Sequence, residues 1–242
     1  MHKIEIPDWV YERVKASRGK VHSFDNIDPA KTALLVVDLQ NGFMMDGVGH
    51  AVAPAARDIV PHVNRIAEAV RQFGGLVVWI QNTVTEESLT SWSVANYDLA
   101  TPERLEKRAE SMREGSLGHQ LWAALDARPG DTYVKKTRFS AFIQGSSDLE
   151  AILRSRGIDT VIVTGTGTGV CCESTARDAM MRNFKTIMIT DANAAKTDTE
   201  HNAALIAFYR NFGDIMSTDE VIGYMTRNAM ANSGASQAGA RA

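Results

Sequence analysis

The stretch Thr160-Val161-Ile162-Val163-Thr164-Gly165-Thr166-Gly167-Thr168-Gly169-Val170-Cys171-Cys172-Glu173-Ser174-Thr175 runs from a β-branched apolar segment, through three alternate glycines, into a helical pattern over residues 171–184. Near-continuous apolarity over residues 160–164, rather than alternation, marks a strand buried on both faces, as in a parallel sheet. Strand, glycine turn and helix in that order form the repeating unit of α/β folds. Outward from it, similar runs recur at residues 33–37 (ALLVV) and 76–80 (LVVWI), and more weakly at 132–134 and 186–189. Between them, residues 56–73 place Ile59, Val63, Ile66, Val70 and Phe73 at spacings of three and four, and Gly74-Gly75 stops that helix. Residues 117–126, 148–156 and 199–211 read as helices in the same way. Strands alternating with helices, joined by right-handed crossovers, predict one α/β domain over residues 1–228. Its architecture is a three-layer α-β-α arrangement: a mostly parallel sheet of about six strands with helices on both faces.

Three segments fall outside this rhythm. Residues 7–18 hold an amphipathic helix around Trp9 and Val14, expected to pack on a partner subunit. Residues 83–116 form a polar insertion with Trp92 and Tyr97, long enough to be a lid or interface element. The tail 229–242 (AMANSGASQAGARA) is small and polar and is expected to be disordered.

Composition narrows the function. The chain has 242 residues, 44% apolar and 23% charged, with Lys+Arg 26 against Asp+Glu 29. A formal charge of -3 is no footprint for a phosphate backbone, so nucleic acid is not the expected partner. No apolar run approaches the roughly 20 residues that span a bilayer, and the charged N-terminus, broken by Pro7, is not expected to act as a signal peptide. A cytoplasmic protein without membrane contact is the expectation. The two cysteines are adjacent, so a disulfide between them closes no long loop, and without a Cys/His cluster they make a poor zinc site. A free thiol pair in a reducing compartment remains.

Ligands of open parallel sheets bind beyond the carboxyl ends of the strands. After Val37 comes Asp38-Leu39-Gln40-Asn41-Gly42-Phe43, where Asp38 either caps the Asn41-Gly42 turn or serves as a buried base. After Val134 come Lys135 and Lys136, which strand alternation sends to opposite sides, so only one points into the crevice. That lysine would lie near Asp38 if their strands are neighbours, and such an ion pair keeps a carboxylate charged. After Thr164, the glycines match neither G-x-G-x-x-G nor a Walker loop. A thiol in the first turn of a helix suits them better: backbone N–H groups and the helix dipole lower its pKa and can receive an oxyanion. Against that stands the plain alternative that Cys171 is a small buried hydrophobe. Cys172, turned about 100° further round the helix, is read as that.

Together these segments resemble the cysteine hydrolase branch of the isochorismatase-like superfamily. Its opening D-x-Q-x-x-F is met by Asp38, Gln40 and Phe43. A lysine after a short strand is met in YVKKTRFSAF, and G-x-x-T-x-x-C-[VC]-x-x-T-x-x-[DE]-A by Gly165, Thr168, Cys171, Thr175, Asp178 and Ala179. The resemblance implies a triad of Cys171 as nucleophile, Asp38 as general base and Lys136 as third member. Lys136 is preferred to Lys135 because Lys136, Arg138, Phe139, Ser140 and Phe142 fit the frame K-x-R-[FY]-S-x-F. It further implies a cis Thr166–Gly167 peptide, an oxyanion hole from the Gly167 and Cys171 N–H groups, no metal or other cofactor, and a homo-oligomer, dimer or tetramer.

Departures bear on the substrate. Metal-binding nicotinamidases of the superfamily carry an aspartate and histidines after the second strand. Here that segment is WIQNTVTE, without histidine. True isochorismatases lack the cysteine. WIQN, the K-x-R-[FY]-S frame and LRSRGI most resemble ureidoacrylate amidohydrolases, with N-carbamoylsarcosine, biuret and maleamate hydrolases as neighbours. The expectation is a small amide or ureido substrate cleaved at a C–N bond through an acyl-enzyme, with ammonia or carbamate released. Gln81 and Asn82 would read its amide groups, Arg138 would grip a carboxylate, and Phe43 and Phe142 would wall the pocket.

Overall fold

In the computed structural model six parallel strands, β1 (Thr32–Val37), β2 (Leu76–Asn82), β3 (Thr132–Lys136), β4 (Thr160–Thr166), β5 (Lys185–Ala194) and β6 (Asp214–Met216), lie in the order β3-β2-β1-β4-β5-β6. The structure describes the backbone of residues 1–239 and the side chains of residues 1–231. The helices are α1 (Asp8–Arg18), α2 (Asn41–Met44), α3 (Val60–Gln72), α4 (Glu86–Ser91), α5 (Pro102–Ser111), α6 (Leu149–Ser155), α7 (Glu173–Met181), α8 (Asp198–Asn211) and α9 (Thr218–Gly239). Among the described residues, none of these helices is long and apolar enough to cross a membrane.

Alternation along the strands divides the core. Ala33, Leu35, Val37, Val78, Ile80, Val161 and Val163 face one layer, with residues of α1, α6, α7 and α8. Leu34, Val36, Val77, Trp79, Ile162, Ile187 and Ile189 face the other, against α3 and α9. β1 and β4 sit centrally and are buried along their whole length, which explains why their sequences read as unbroken apolar runs. β4 runs so close to β1 that a Cβ on Gly165, whose φ is +127°, would lie 2.0 Å from the Val37 carbonyl oxygen. Only glycine fits there.

Three expectations change. Residues 117–126 are not helical. Their backbone pairs with the loop after β1 instead: Asn41 N–H donates to Gln120 O (2.9 Å), Gly42 N–H to Gly118 O (2.8 Å) and Trp122 N–H to Leu39 O (3.0 Å). Donors and acceptors spent on a neighbouring loop are not available for a helix. The N-terminal helix spans residues 8–18, close to the predicted 7–18, but its apolar stripe packs inward. Val10 and Val14 are buried in the domain's own core, leaving Trp9 exposed. Finally, helix α9 continues through Gly239, so most of the tail read as disordered is helical, as its alanines and methionine favour. Residues 240–242 of that reading lie outside the described residues.

Candidate active site

The carboxyl ends of β1, β3 and β4 bring three distant residues to one place. Asp38 follows the last residue of β1 with φ 57°, a left-handed conformation that aspartate tolerates, and its N–H donates to Ile80 O at 2.9 Å. Lys136 ends β3. The two strands are not neighbours, because β2 lies between them. Nonetheless Lys136 Nζ donates to Asp38 Oδ2 at 2.8 Å, the flexible lysine stem spanning the end of the intervening strand. Both side chains are wholly buried. Lys136 Nζ also donates to Arg138 O at 3.1 Å, while Asp38 Oδ1 has no hydrogen-bond partner. Lys135 points the other way, exposed and ion-paired with Glu114, so alternation settles which lysine faces the crevice.

Cys171 comes from the third strand end. β4 leads through a cis Thr166–Gly167 peptide into a π-type turn, Thr168–Cys172, continuous with α7. Cys171 is 6% exposed and lines a cavity of about 790 Å3, and the charges of Asp38 and Lys136 act on its sulfur. Cys172 is fully buried, its sulfur 4.0 Å from Thr164 O, and both cysteines are free thiols.

The electrostatics differ from what a helix terminus alone predicts. Burial pushes the Cys171 thiol up to about 12; Lys136 opposes that rise and the Asp38 carboxylate adds to it. The resting group is therefore a thiol, because desolvation together with the Asp38 carboxylate outweighs the Lys136 ammonium. Burial alone would lower the Lys136 ammonium, but the Asp38 charge, with the Cys171 sulfur beside it, outweighs burial and holds it above its ordinary value. A protonated thiol beside a carboxylate with one free oxygen is an arrangement in which that oxygen can take the proton as sulfur attacks.

The remaining expected residues divide. Phe43, Asn82 and Gly167 line the cavity. The Gln40 amide holds Asn82 by its backbone, accepting from Asn82 N (2.7 Å) and donating to Asn82 O (3.1 Å), and the buried Asn82 Oδ1 is left without a partner. Gln81, one residue earlier on the strand, faces elsewhere and donates to His119 O at 2.9 Å. Phe142 is also outside the cavity. The loop after β3 folds back so that its ring packs on Phe184, with centroids 5.5 Å apart, in the core. Arg138 is likewise outside: its guanidinium donates to Thr137 O (3.1 Å) and Ser91 Oγ (2.9 Å) and lies over the Trp92 ring.

Sequence reasoning missed several lining side chains. Arg104 and Arg108 enter from α5, within the 83–116 insertion, and His50 from the loop after α2. Burial, with the cations Arg108, Arg104, Lys107 and Lys196 around it, pushes His50 down to about 4, so its ring is neutral near pH 7. No motif in their own segments singles them out. The one sequence signal was the aromatic content of the insertion, since Trp92 stacks with Arg108 at 5.1 Å. Among the described residues, no cluster of three or more His, Cys, Asp and Glu side chains is arranged to hold a metal.

The Isochorismatase domain family matches residues 32–220. Ureidoacrylate amidohydrolase RutB of Pseudomonas savastanoi pv. phaseolicola is 31% identical over 230 residues, covering 90% of this chain and 91% of that protein. The same-named protein of Methylobacterium radiotolerans is 31% identical over 217 residues, with 83% of each chain covered. A crystal structure of a cysteine hydrolase from Pseudomonas syringae pv. phaseolicola superposes with a TM-score of 0.71 at 27% identity, covering 84% of this chain and 96% of that one. N-carbamoylsarcosine amidase from Thermoplasma acidophilum superposes with a TM-score of 0.62 at 28% identity, covering 78% of this chain and 97% of that one.

Proposed function

We propose that this chain, which belongs to the isochorismatase family and is an amidohydrolase, cleaves the C–N bond of a small ureido or amide substrate with Cys171 as nucleophile. The observation that carries the reading is the meeting of a buried Asp38–Lys136 pair with a cavity-lining thiol. Asp38 Oδ1 takes the thiol proton while Sγ bonds to the substrate's carbonyl carbon. The Gly167 and Cys171 N–H groups receive the oxyanion. The C–N bond then breaks, and the proton returns from Asp38 to the departing nitrogen. Water attacks the resulting thioester or thiocarbamate, passing its proton to Asp38, and the released sulfur regains that proton. Lys136 holds Asp38 in place throughout, its Nζ donating to Oδ2 and leaving Oδ1 to carry the proton. Asn82 Oδ1, a buried acceptor without a partner, suits an N–H of the amide or ureido group.

Ureidoacrylate-like compounds are the first substrates to test, in keeping with the relatives above. Ammonia release from ureidoacrylate, N-carbamoyl amino acids, biuret and maleamate is compared in the unaltered protein, Cys171→Ala and Cys172→Ala. The expected result is loss of turnover in Cys171→Ala alone. Equal activity in Cys171→Ala and the unaltered protein would remove Cys171 as nucleophile. Self-association as a dimer or tetramer belongs to the same reading, and sedimentation at the monomer mass of 26.4 kDa would contradict it.

A further inference from the structure

We infer that Arg108, carried into the cavity by the 83–116 insertion, grips a carboxylate on the substrate, so that the substrate is an amide or ureide which is also an organic acid. Arg104, one turn earlier on α5, assists at the mouth. The inference rests on the amidohydrolase reading above and adds the residue and the charge that select the substrate.

Arg108 has the partners of a binding residue rather than a structural one. Among the described residues its guanidinium makes one hydrogen bond, from Nη1 to Asn96 Oδ1 at 2.7 Å. Asn96 is itself buried and fixed by donating to Ser88 O (3.1 Å) and Leu89 O (3.0 Å), so the amide aims the guanidinium without neutralising it. The face of Trp92, 5.1 Å away, holds the other side. Among the described residues, no carboxylate forms an ion pair with Arg108 or with Arg104. Arg177, the arginine across the cavity, is paired with Glu173.

An arginine offers five donors in a planar fork matched to a carboxylate, and here one donor is used. Burial, reinforced by the neighbouring Arg138 and Arg104 cations, pushes Arg108 below its ordinary value. A half-buried cation without an anion is costly and is relieved when an anion binds. Arg108 and Cys171 line the same cavity, so an anion held by Arg108 lies within the same small site as the thiol. Arg138, with its donors already turned to Thr137 and Ser91, does not compete for this role.

The test uses two thiol reagents of similar size, iodoacetate and iodoacetamide, which differ in bearing a carboxylate or a neutral amide. Alkylation of Cys171, located by peptide mass, is timed in the unaltered protein, Arg108→Gln, Arg108→Lys and Arg104→Gln. The iodoacetate-to-iodoacetamide rate ratio should fall about tenfold or more in Arg108→Gln, less in Arg108→Lys and least in Arg104→Gln, the iodoacetamide rate staying level. In parallel, kcat/KM for ureidoacrylate should fall in Arg108→Gln mainly through KM, while that for its methyl ester does not. An unchanged ratio in Arg108→Gln, or an equal fall for both reagents, overturns the carboxylate grip and leaves the nucleophile reading standing. If iodoacetamide labels Cys171 no faster than the buried Cys172, the nucleophile reading falls and takes the grip with it.

Discussion

The two ends of β3 carry charged pairs of opposite character. At its entrance, Asp131 accepts from Arg71 through both oxygens (2.9 and 2.7 Å), from Trp79 Nε1 (2.8 Å) and from Arg128 N–H (2.9 Å). Burial alone would raise its carboxyl, but these donors outweigh burial and hold it below its ordinary value. At the exit, five residues later, Lys136 meets Asp38 with a single bond and leaves Asp38 Oδ1 without a partner beside a thiol. The first cluster uses its bonding capacity to fasten α3 and the approach to β3 onto the sheet. The second keeps one acceptor unused beside the thiol, where the proposed reaction moves a proton. Incomplete satisfaction of a fully buried charge is thus a better sign of chemistry than burial or pairing alone.

Substitutions test that contrast, the largest effect first. Lys136→Met leaves the buried Asp38 charge alone and should cost about 3–5 kcal/mol of stability in denaturant unfolding, with activity lost. The double variant Asp38→Asn/Lys136→Met should recover most of the stability and none of the activity. A double variant as unstable as the single one would show that Lys136 acts by packing. Asp38→Asn by itself should lower kcat/KM by about 10²–10⁴, the usual contribution of a general base. A fall of less than tenfold would assign the proton transfer elsewhere.

At the other end of the strand, Asp131→Asn should lower stability by about 1–3 kcal/mol while kcat/KM stays within about twofold. A large loss of turnover there would erase the distinction between the two clusters. The smallest effects are expected in the pH dependence of stability. Asp131 is held below its ordinary 3.8, so the stability it contributes is present above that pH and lost as pH falls through its lowered value. Lys136 is held above 10.5, so its contribution is complete below that pH and lost as pH rises beyond it. Asp131→Asn should flatten the acid limb of the unfolding curve, and the double variant Asp38→Asn/Lys136→Met, which strands no carboxylate, the alkaline limb. Alkylation of Cys171 should keep accelerating above about pH 8.5, where an ordinary thiol begins to level off, because burial holds it up to about 12. A plateau near neutral pH would mean that the thiolate is already formed at rest.

Residues at strand ends were legible in the sequence, and residues in loops were not. The choice of Lys136 over Lys135 follows from alternation together with the family frame, and the structure separates them as alternation requires. Gln81 and Asn82 obey the same rule, but which of them faces the cavity depends on where Gln40 sits, and that contact spans 42 residues of chain. Phe142 and Arg138 match the frame by spacing, yet the loop after β3 turns one into the core and the other toward Ser91. Segment 117–126 shows the same limit from another side, its helical spacing overridden by hydrogen bonds to residues 39–42.

By itself the sequence determined the alternation of the first five strands with helices outside residues 83–126, the burial of β1, β2 and β4 on both faces, and the placing of Asp38, Lys136 and Cys171 just at or beyond strand ends. Apolar periodicity and strand alternation are local properties, and they are written residue by residue. Only the tertiary structure decided that Lys136 reaches Asp38 across an intervening strand, that Cys171 rests as a thiol, and that Arg108 enters the cavity from an insertion without a motif. Those outcomes depend on desolvation and on contacts between segments far apart in the chain, and no local pattern encodes either.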